Sequence, residues 1–342
     1  SSTDGDDTSV AVDLGVQYPA RAITLNPPAQ GGTIQTQTEP DSLQIQNAEV
    51  ENGETGDYWD GTDQTFTSGI VEFEPAYNLY HHAPKTSVEN GIVYNHFTED
   101  DEFIPLSGQQ IVSGRDISLV AIDGDLSQSQ VGDTAIDVNS VSAGATRVPV
   151  TNDSDTSKVK IKIPTKLSQK TWVTKLLNDQ IDNADSGTTD CGSIPSPDDD
   201  SDPSRFIENC EYNSGPGEFN TLVLIMEPGE TYNLNLAKVS VGDNAGDLGP
   251  HYITTDGGGE GSLVDIERRE LTFEVRDRFD NTVSGAEVPL KATNGVFESG
   301  SDTKTVTTNE NGEITVTFVP DDVPDGGSET ATITAGGSLD LD

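Results

Sequence analysis

The chain has 342 residues, with 60 Asp and Glu against 18 Lys and Arg, and a formal net charge of −42. This imbalance causes strong self-repulsion at low ionic strength, but molar salt screens it because the Debye length falls to about 3 Å. The charge is interleaved with patterned apolar segments, so it predicts a folded protein adapted to high salt rather than a disordered acidic tail. The negative charge favours solvent cations as partners, and it argues against nucleic acid and anionic lipid as direct partners.

Length and the many Gly and Pro residues favour two or three domains built from short strands and turns. We expect a mainly β protein with a flexible leader at 1–8, followed by a large antiparallel β-rich body at 9–255. The body has one short helix and could comprise two subdomains. A Gly-rich linker at 256–262 then leads to a β-sandwich at 263–342. No run of about 20 apolar residues predicts a membrane-spanning helix.

The first predicted strands of the body cover 10–16, 42–50, 68–74, 91–97, 104–112, 117–122, 146–150 and 158–163, and a Pro-bounded segment follows the first of them at 21–25. In the last of these, apolar residues alternate with a stripe of three lysines: Lys158, Lys160 and Lys162. We interpret the stripe as a solvated face or a lysine-guarded edge, with a binding surface as the alternative.

Aromatic residues and histidines concentrate between positions 73 and 97. Four of them form a candidate recognition surface: Tyr77, Tyr80, His81 and His82. An aromatic core patch is the other interpretation of this region. A metal site at the two adjacent histidines is disfavoured, because neighbouring strand residues point to opposite faces and a loop fixes neither.

A single helix is predicted from about Gln169 to Ile181, with Ser168 as its N-cap. An acidic run at 198–202 follows, but it lacks the spacing of a calcium-binding loop and fits a solvated loop. Two further strands are expected at 221–226 and 231–241, and the apolar run in the first predicts burial on both faces.

The two cysteines, Cys191 and Cys210, predict one disulfide if the protein is extracellular, or two free thiols if it is cytosolic. One glycosylation sequon begins at Asn152 and offers a candidate modification site. The chain begins at Ser1, which fits either removal of an export signal or anchor, or trimming of the chain.

The C-terminal region alternates apolar and polar residues in short strands separated by turn signals, which predicts a small β-sandwich. The run 275–288 and the later segment 308–316 resemble bacterial Ig-like domains of the invasin and intimin type. The resemblance covers about 75 residues. It implies a sandwich fold and surface display as a spacer, stalk or adhesive unit, without catalysis.

Segments of the body resemble uncharacterised haloarchaeal exported proteins of pilin type; these are 17–21, 26–28, 77–80, 83–84 and 104–109. That resemblance implies an extracellular β-rich body anchored by an N-terminal hydrophobic helix, which this sequence lacks. It provides no functional residues.

The sequence contains no metalloprotease, nucleophile-elbow or phosphate-loop motif, and its four histidines show no ligand spacing. We therefore expect a non-enzymatic, cofactor-free protein of the cell surface, structural or adhesive, with itself or other surface proteins as partners. Two alternatives stay open: a spike or decoration protein of a haloarchaeal virus, and an exported polysaccharide-processing enzyme with an Ig-like spacer. A cleft lined by two carboxylates would favour the enzyme.

Overall fold

A computed structural model describes residues 8–15, 30–50, 55–56, 58–77, 82–142, 146–152, 157–177, 206–215, 217–243, 248–255, 268–321 and 332–335. These residues are mainly β and form five sheets, as the alternating patterns predict. The leader through residue 7, the Pro-bounded segment at 21–25 and the Gly-rich segment at 256–262 lie outside the described residues.

In chain order the strands are β1 (Thr8–Asp13), β2 (Gly31–Thr38), β3 (Leu43–Gln46), β4 (Glu49–Val50), β5 (Gln64–Phe66), β6 (Gly69–Ala76), β7 (Lys85–Glu89), β8 (Ile92–Phe97), β9 (Glu102–Pro105), β10 (Val112–Ser113), β11 (Asp116–Asp123), β12 (Ser127–Gln130), β13 (Asp133–Ser142), β14 (Val148–Thr151), β15 (Lys160–Thr165), β16 (Ile207–Ser214), β17 (Asn220–Met226), β18 (Tyr232–Val241), β19 (Tyr252–Thr255), β20 (Arg269–Arg276), β21 (Glu287–Thr293), β22 (Gly295–Phe297), β23 (Thr303–Thr307), β24 (Glu313–Pro320) and β25 (Thr332–Ala335).

Three sheets build the body. The seven-stranded sheet has the order β1-β13-β18-β11-β10, with β14 joining β18 to β4. The six-stranded sheet has the order β12-β2-β6-β7-β8-β9, and the five-stranded sheet has the order β16-β17-β15-β3-β5. Most neighbours pair antiparallel as expected, but β11 and β18 run parallel, with Leu119 opposite Leu236.

The main core of the body draws apolar side chains from all three of these sheets. Its largest fully buried members include Trp59, Tyr94, Trp172 and Tyr232. A smaller cluster around Leu14 takes its apolar side chains from the six-stranded and seven-stranded sheets. The predicted double-sided burial at 221–226 is confirmed for most positions, since only Ile225 of β17 is partly exposed among its apolar residues.

One short helical segment is present among the described residues, as predicted. It consists of α1 (Gln169–Thr171) and a π-helical turn at Trp172–Leu176. Ser168 is the N-cap, and its hydroxyl accepts a hydrogen bond from the backbone N–H of Thr171. The segment ends earlier than residue 181 because Leu177 leaves helical geometry at φ −113° and ψ 6°. No helix in the described part of the chain has the length and apolarity needed to cross a membrane.

Several predicted strands are placed differently by tertiary pairing. The strand expected at 104–112 is two short strands, β9 and β10, in different sheets. β14 and β15 flank Asn152 in sequence but also belong to different sheets, so they do not form a hairpin. Leader residue Thr8 already belongs to β1, which pairs with β13.

The C-terminal module is a sandwich of two sheets, one ordered β19-β20-β24-β22 and the other β23-β21-β25. Apolar residues from both sheets share one core. Its first strand, β19, precedes the Gly-rich segment and pairs with β20. Residues 252–255, which the sequence analysis assigned to the body, are therefore part of this sandwich.

Candidate functional site

The structure describes only part of the predicted recognition surface. Tyr77 is partly exposed, and His82 is exposed with its Nδ1 2.8 Å from the Glu99 carboxylate. Tyr80 and His81 lie outside the described residues, so the surface stays a prediction. Among the described residues, no three His, Cys, Asp or Glu side chains lie close enough to hold a metal ion.

The interpretation as an aromatic core patch fits the aromatic residues of β8 and β9. Tyr94 is fully buried in the main core. The ring of His96 stacks on Phe103 with centroids 4.1 Å apart, and its Nε2 lies 3.0 Å from Asp101. These aromatic residues of β8 and β9 therefore pack within the protein rather than forming an open binding face.

The candidate modification site at Asn152 is buried in the folded protein. Asn152 is only 6% exposed, and its Nδ2, the atom that would carry the glycan, donates a 3.0 Å hydrogen bond to the Asn47 carbonyl. The rest of the sequon lies outside the described residues, so glycosylation at this position stays a prediction.

Cys210 is fully buried on β16, and no cysteine is free among the described residues. Cys191 lies outside those residues, so its disulfide with Cys210 stays a prediction. The acidic run at 198–202 lies outside them as well.

The lysine stripe lies on a central strand, not on an edge. β15 pairs with β17 on one side and with β3 on the other, so its backbone needs no lysine guard. Lys160 and Lys162 are partly exposed, and Lys158 is bound to the Glu208 carboxylate at 2.5 Å. A solvated face is the interpretation that fits this geometry.

A group of buried carboxylates, which the sequence analysis missed, lies between the six-stranded and five-stranded sheets. We call Glu39, Glu72 and Glu89 the glutamate cluster; their exposures are 5%, 4% and 0%. Such burial is unusual for a charged side chain unless partners compensate for lost hydration. The buried cation beside the cluster is Lys166, which follows β15.

Glu89 is positioned by a tight turn. Asn90 and Gly91 have φ angles of 47° and 75° and connect β7 to β8, with Glu89 opposite Ile92. A two-residue Asn-Gly turn of this kind fixes the register of a hairpin. The turn therefore sets Glu89 at the end of β7 and directs it to the same face as buried Ile92.

Three donors surround the Glu89 carboxylate. The Thr165 hydroxyl and the backbone N–H of Lys166 donate to it, as does the Tyr94 hydroxyl at 3.0 Å. Burial nevertheless raises the pKa of Glu89, with these hydrogen bonds acting in the opposite direction. The group thus ties β7 to the chain segment after β15.

Glu39 is the member of the cluster with the fewest partners. Among the described residues, neither of its carboxylate oxygens has a hydrogen-bond partner, although both are buried. Burial, reinforced by the nearby charge of Glu89, raises its pKa from 4.5 to about 9. Glu39 therefore carries a proton at neutral pH, which removes most of the cost of burying it.

Glu72 stands between two lysines and an amide. Its Oε2 lies 3.3 Å from Lys166 Nζ, while its Oε1 accepts from Lys85 Nζ at 3.1 Å and from Gln37 Nε2 at 3.4 Å. Lys166 Nζ also donates to Gln37 Oε1 at 2.7 Å and to Glu218 at 2.9 Å. Lysine, amide and carboxylate thus form one contiguous contact.

Neither of two cavities lined by described residues includes a member of the glutamate cluster. A cavity of about 20 Å³ is lined partly by Gln37, Ser68 and Asp123, which is room for about one water molecule. A larger open depression lies on the sandwich, over β21 and β23, and its lining includes two lysines and no carboxylate. The glutamate cluster is therefore a buried polar contact between sheets in the described structure.

A second buried polar contact joins the sandwich to the body. We call it the module junction; it consists of Tyr58 and Phe66 of the body with Tyr252 and the turn 277–281 of the sandwich. Phe279 is 6% exposed and belongs to the main core of the body, with its ring centroid 4.8 Å from Phe66. Tyr58 stacks on Tyr252 at 4.7 Å.

Hydrogen bonds complete the module junction. Asn281 Nδ2 donates to Ser142 Oγ at 2.7 Å and to the Leu236 carbonyl at 2.8 Å. The Tyr58 hydroxyl donates to the Arg278 carbonyl at 2.7 Å. The sandwich is therefore docked through a buried and specific contact, in addition to its covalent connection through 242–251.

The turn that makes this contact is held by acidic residues. Asp277 Oδ1 accepts from the backbone N–H groups of Phe279 and Asn281, at 2.8 and 3.1 Å. Asp280 adopts φ 64°, and its Oδ1 lies 3.3 Å from Arg276 without hydrogen-bond geometry. Burial raises the pKa of both carboxyl groups, and that of Asp280 well above its usual range.

Little in the sequence indicated these two contacts. Glu72 and Glu74 alternate with Val71 and Phe73 in β6, a pattern that normally places the acids in solvent. The Asn-Gly pair after Glu89 predicts a hairpin turn but not which face is buried. The run 275–288 was identified as an Ig-like signature, without any indication that Phe279 packs in another module.

No protein-family model matches the chain, and no curated protein matches it.

Proposed function

We propose that the chain is a non-enzymatic, structural or adhesive protein of a cell surface in a high-salt environment. The module junction is the observation that carries this proposal. A stalk or display protein must transmit force and hold orientation between modules, and a buried contact through Phe279 and Asn281 serves that purpose. Catalysis makes no comparable demand on this contact.

The charge supports the high-salt part of the proposal. With a net charge of −42, the fold requires screening of its own repulsion. We expect the thermal midpoint to fall when the protein is dialysed from about 3 M salt to about 0.1 M, because the screening length increases from about 3 to about 10 Å. An unchanged midpoint would contradict adaptation to salt.

The partners we propose are other copies of the chain or other surface proteins, with solvent cations around the acidic surface. Resemblance of the C-terminal run to Ig-like spacer modules supports this choice. The lysine stripe does not suggest a nucleic-acid site, because Lys158 is paired with Glu208 and the two other lysines are few against a net charge of −42.

Location is tested on intact cells of the organism that makes the chain. Antibodies raised against the folded protein are applied before and after lysis, together with a protease that cannot enter cells. The proposal predicts labelling and digestion without lysis. Labelling that requires lysis would place the protein in the cytosol and overturn the proposal, and recovery only with virus particles would favour the virion alternative.

A further inference from the structure

The contact between Lys166, Gln37 and Glu72 has the geometry of a reaction centre. Lys166 Nζ, a nucleophile when it is deprotonated, donates to Gln37 Oε1 at 2.7 Å. The side chains of Lys166 and Glu72 are each only 5% exposed. The lysine amine is thus held in contact with the carboxamide of Gln37, a partly exposed residue, and attack requires Nζ to move from Oε1 toward Cδ.

Glu72 faces both ends of that reaction. Its Oε2 lies 3.3 Å from Lys166 Nζ, and its Oε1 accepts from Gln37 Nε2 at 3.4 Å. One carboxylate oxygen is thus beside the attacking nitrogen and the other beside the nitrogen that would leave. This is the placement required of a single group that moves protons in an amide exchange.

The geometry points to an intramolecular isopeptide bond between Lys166 Nζ and Gln37 Cδ, formed by the protein itself. Glu72 takes a proton from Nζ, and the Nζ–Cδ bond forms. The Cδ–Nε2 bond breaks as Glu72 returns this proton to Nε2. The second Nζ proton passes through Glu72 to the released ammonia. A lysine ammonium and a carboxamide thereby become a secondary amide and one ammonium ion.

The product would join the two sheets that enclose the glutamate cluster. Gln37 lies on β2 of the six-stranded sheet, and Lys166 follows β15 of the five-stranded sheet, 129 residues away. The cavity of about 20 Å³ that Gln37 helps to line has room for one molecule of the size of ammonia. The bond does not depend on the proposed function, although it would resist separation of the sheets under load.

Lys85 provides a matched comparison within the same cluster. Its Nζ lies 3.1 Å from Glu72 Oε1 and 3.0 Å from Glu74, and both of these partners are carboxylates. Because Lys85 Nζ is held by carboxylates and not by a carboxamide, we expect Lys85 to remain a free amine. Lys85→Met should therefore leave the cross-link in place.

Mass spectrometry of the full-length protein tests the proposal. The denatured wild-type chain should be lighter than its sequence mass by one ammonia molecule, after allowance for a disulfide, and a proteolytic map should contain one branched peptide joining Gln37 to Lys166. Glu72→Gln and Lys166→Arg should restore the missing mass, whereas Lys85→Met should not.

Two results would overturn the proposal. The first is a wild-type mass without the deficit, with Gln37 and Lys166 recovered in separate peptides; the contact is then an ion pair only. The second is a deficit that maps to an Asn-Gly succinimide and is removed by hydroxylamine, which does not cleave an isopeptide bond. Because the decisive measurement is made on the wild-type chain, it holds even if a variant fails to fold.

Discussion

The body and the sandwich bury charge in different ways. The core of the sandwich is apolar, built from residues such as Val288, Phe297 and Ile314, and its buried acids lie at the junction. The body buries Glu39, Glu72, Glu89 and Lys166 between two of its own sheets. In both modules, therefore, buried polar groups occur where separately formed layers meet, which is where they can specify the packing partner.

The largest effect is expected from Phe279→Ala. The side chain belongs to the sandwich by sequence but fills the core of the body, so its removal should destabilise the body by about 3–5 kcal/mol. Both tryptophans, Trp59 and Trp172, lie in the body, so their fluorescence reports its unfolding in denaturant. Leu106→Ala, at a side chain that is 58% exposed, is the control and should change little. Equal effects of the two substitutions would contradict the junction.

A second effect depends on pH. Because the pKa of Glu39 is raised to about 9, the folded state holds a proton that the unfolded state releases above about pH 4.5. Stability is therefore lost as pH rises from about 5 to about 9, and Glu39→Gln should remove this loss, a gain of about 3 kcal/mol near neutral pH. Denaturant unfolding of the wild-type protein and of Glu39→Gln at about pH 5 and about pH 8 measures this difference in stability. Exposed Glu310→Gln is the control, and a gain of equal size at both pH values would show that Glu39 is ionised throughout.

Loss of hydrogen bonds at the junction should cost less. Asn281→Ala leaves Ser142 Oγ and the Leu236 carbonyl without their donor, at an expected cost of about 1–3 kcal/mol. A double-mutant cycle with Ser142→Ala isolates the side-chain pair from the backbone contact. Additive effects of the two substitutions would mean that this pair does not couple the modules.

The smallest effect is expected at the lysine stripe. Lys158 and Glu208 are partly exposed, so Lys158→Met should cost less than about 1 kcal/mol, and less still in molar salt. Lys160→Met, on the same face of the sheet, is the matched control. A loss of several kcal/mol specific to Lys158 would contradict this expectation. It would show that a partly exposed ion pair stabilises the body as strongly as the buried contacts between layers.

Local patterns predicted most strands but not their partners. The alternation at 158–163 and the apolar run at 221–226 indicated the neighbouring strands β15 and β17, and Ser168 marked the start of the helix. Periodicity describes one segment at a time, so it could not show that β14 and β15 separate into different sheets or that β11 and β18 pair parallel.

The buried sites were harder to predict for the same reason. Acidic residues are so common in this chain that Glu39 and Glu89 resemble the many that are solvated. Their burial results from the stacking of two sheets whose strands interleave along the chain, which a single-segment pattern does not show. Phe279 likewise lies in a turn of the sandwich by sequence. Only the packing of the sandwich against the body shows that its side chain belongs to the core of the body.

Coupled unfolding tests the central claim, that the two modules form one mechanical unit. Phe297→Ala breaks the core of the sandwich on β22, away from both tryptophans, and the body is then followed by tryptophan fluorescence in molar salt. A unit joined at the junction predicts that the unfolding midpoint of the body falls together with that of the sandwich. An unchanged midpoint for the body, while circular dichroism shows the sandwich unfolding earlier, would contradict the claim.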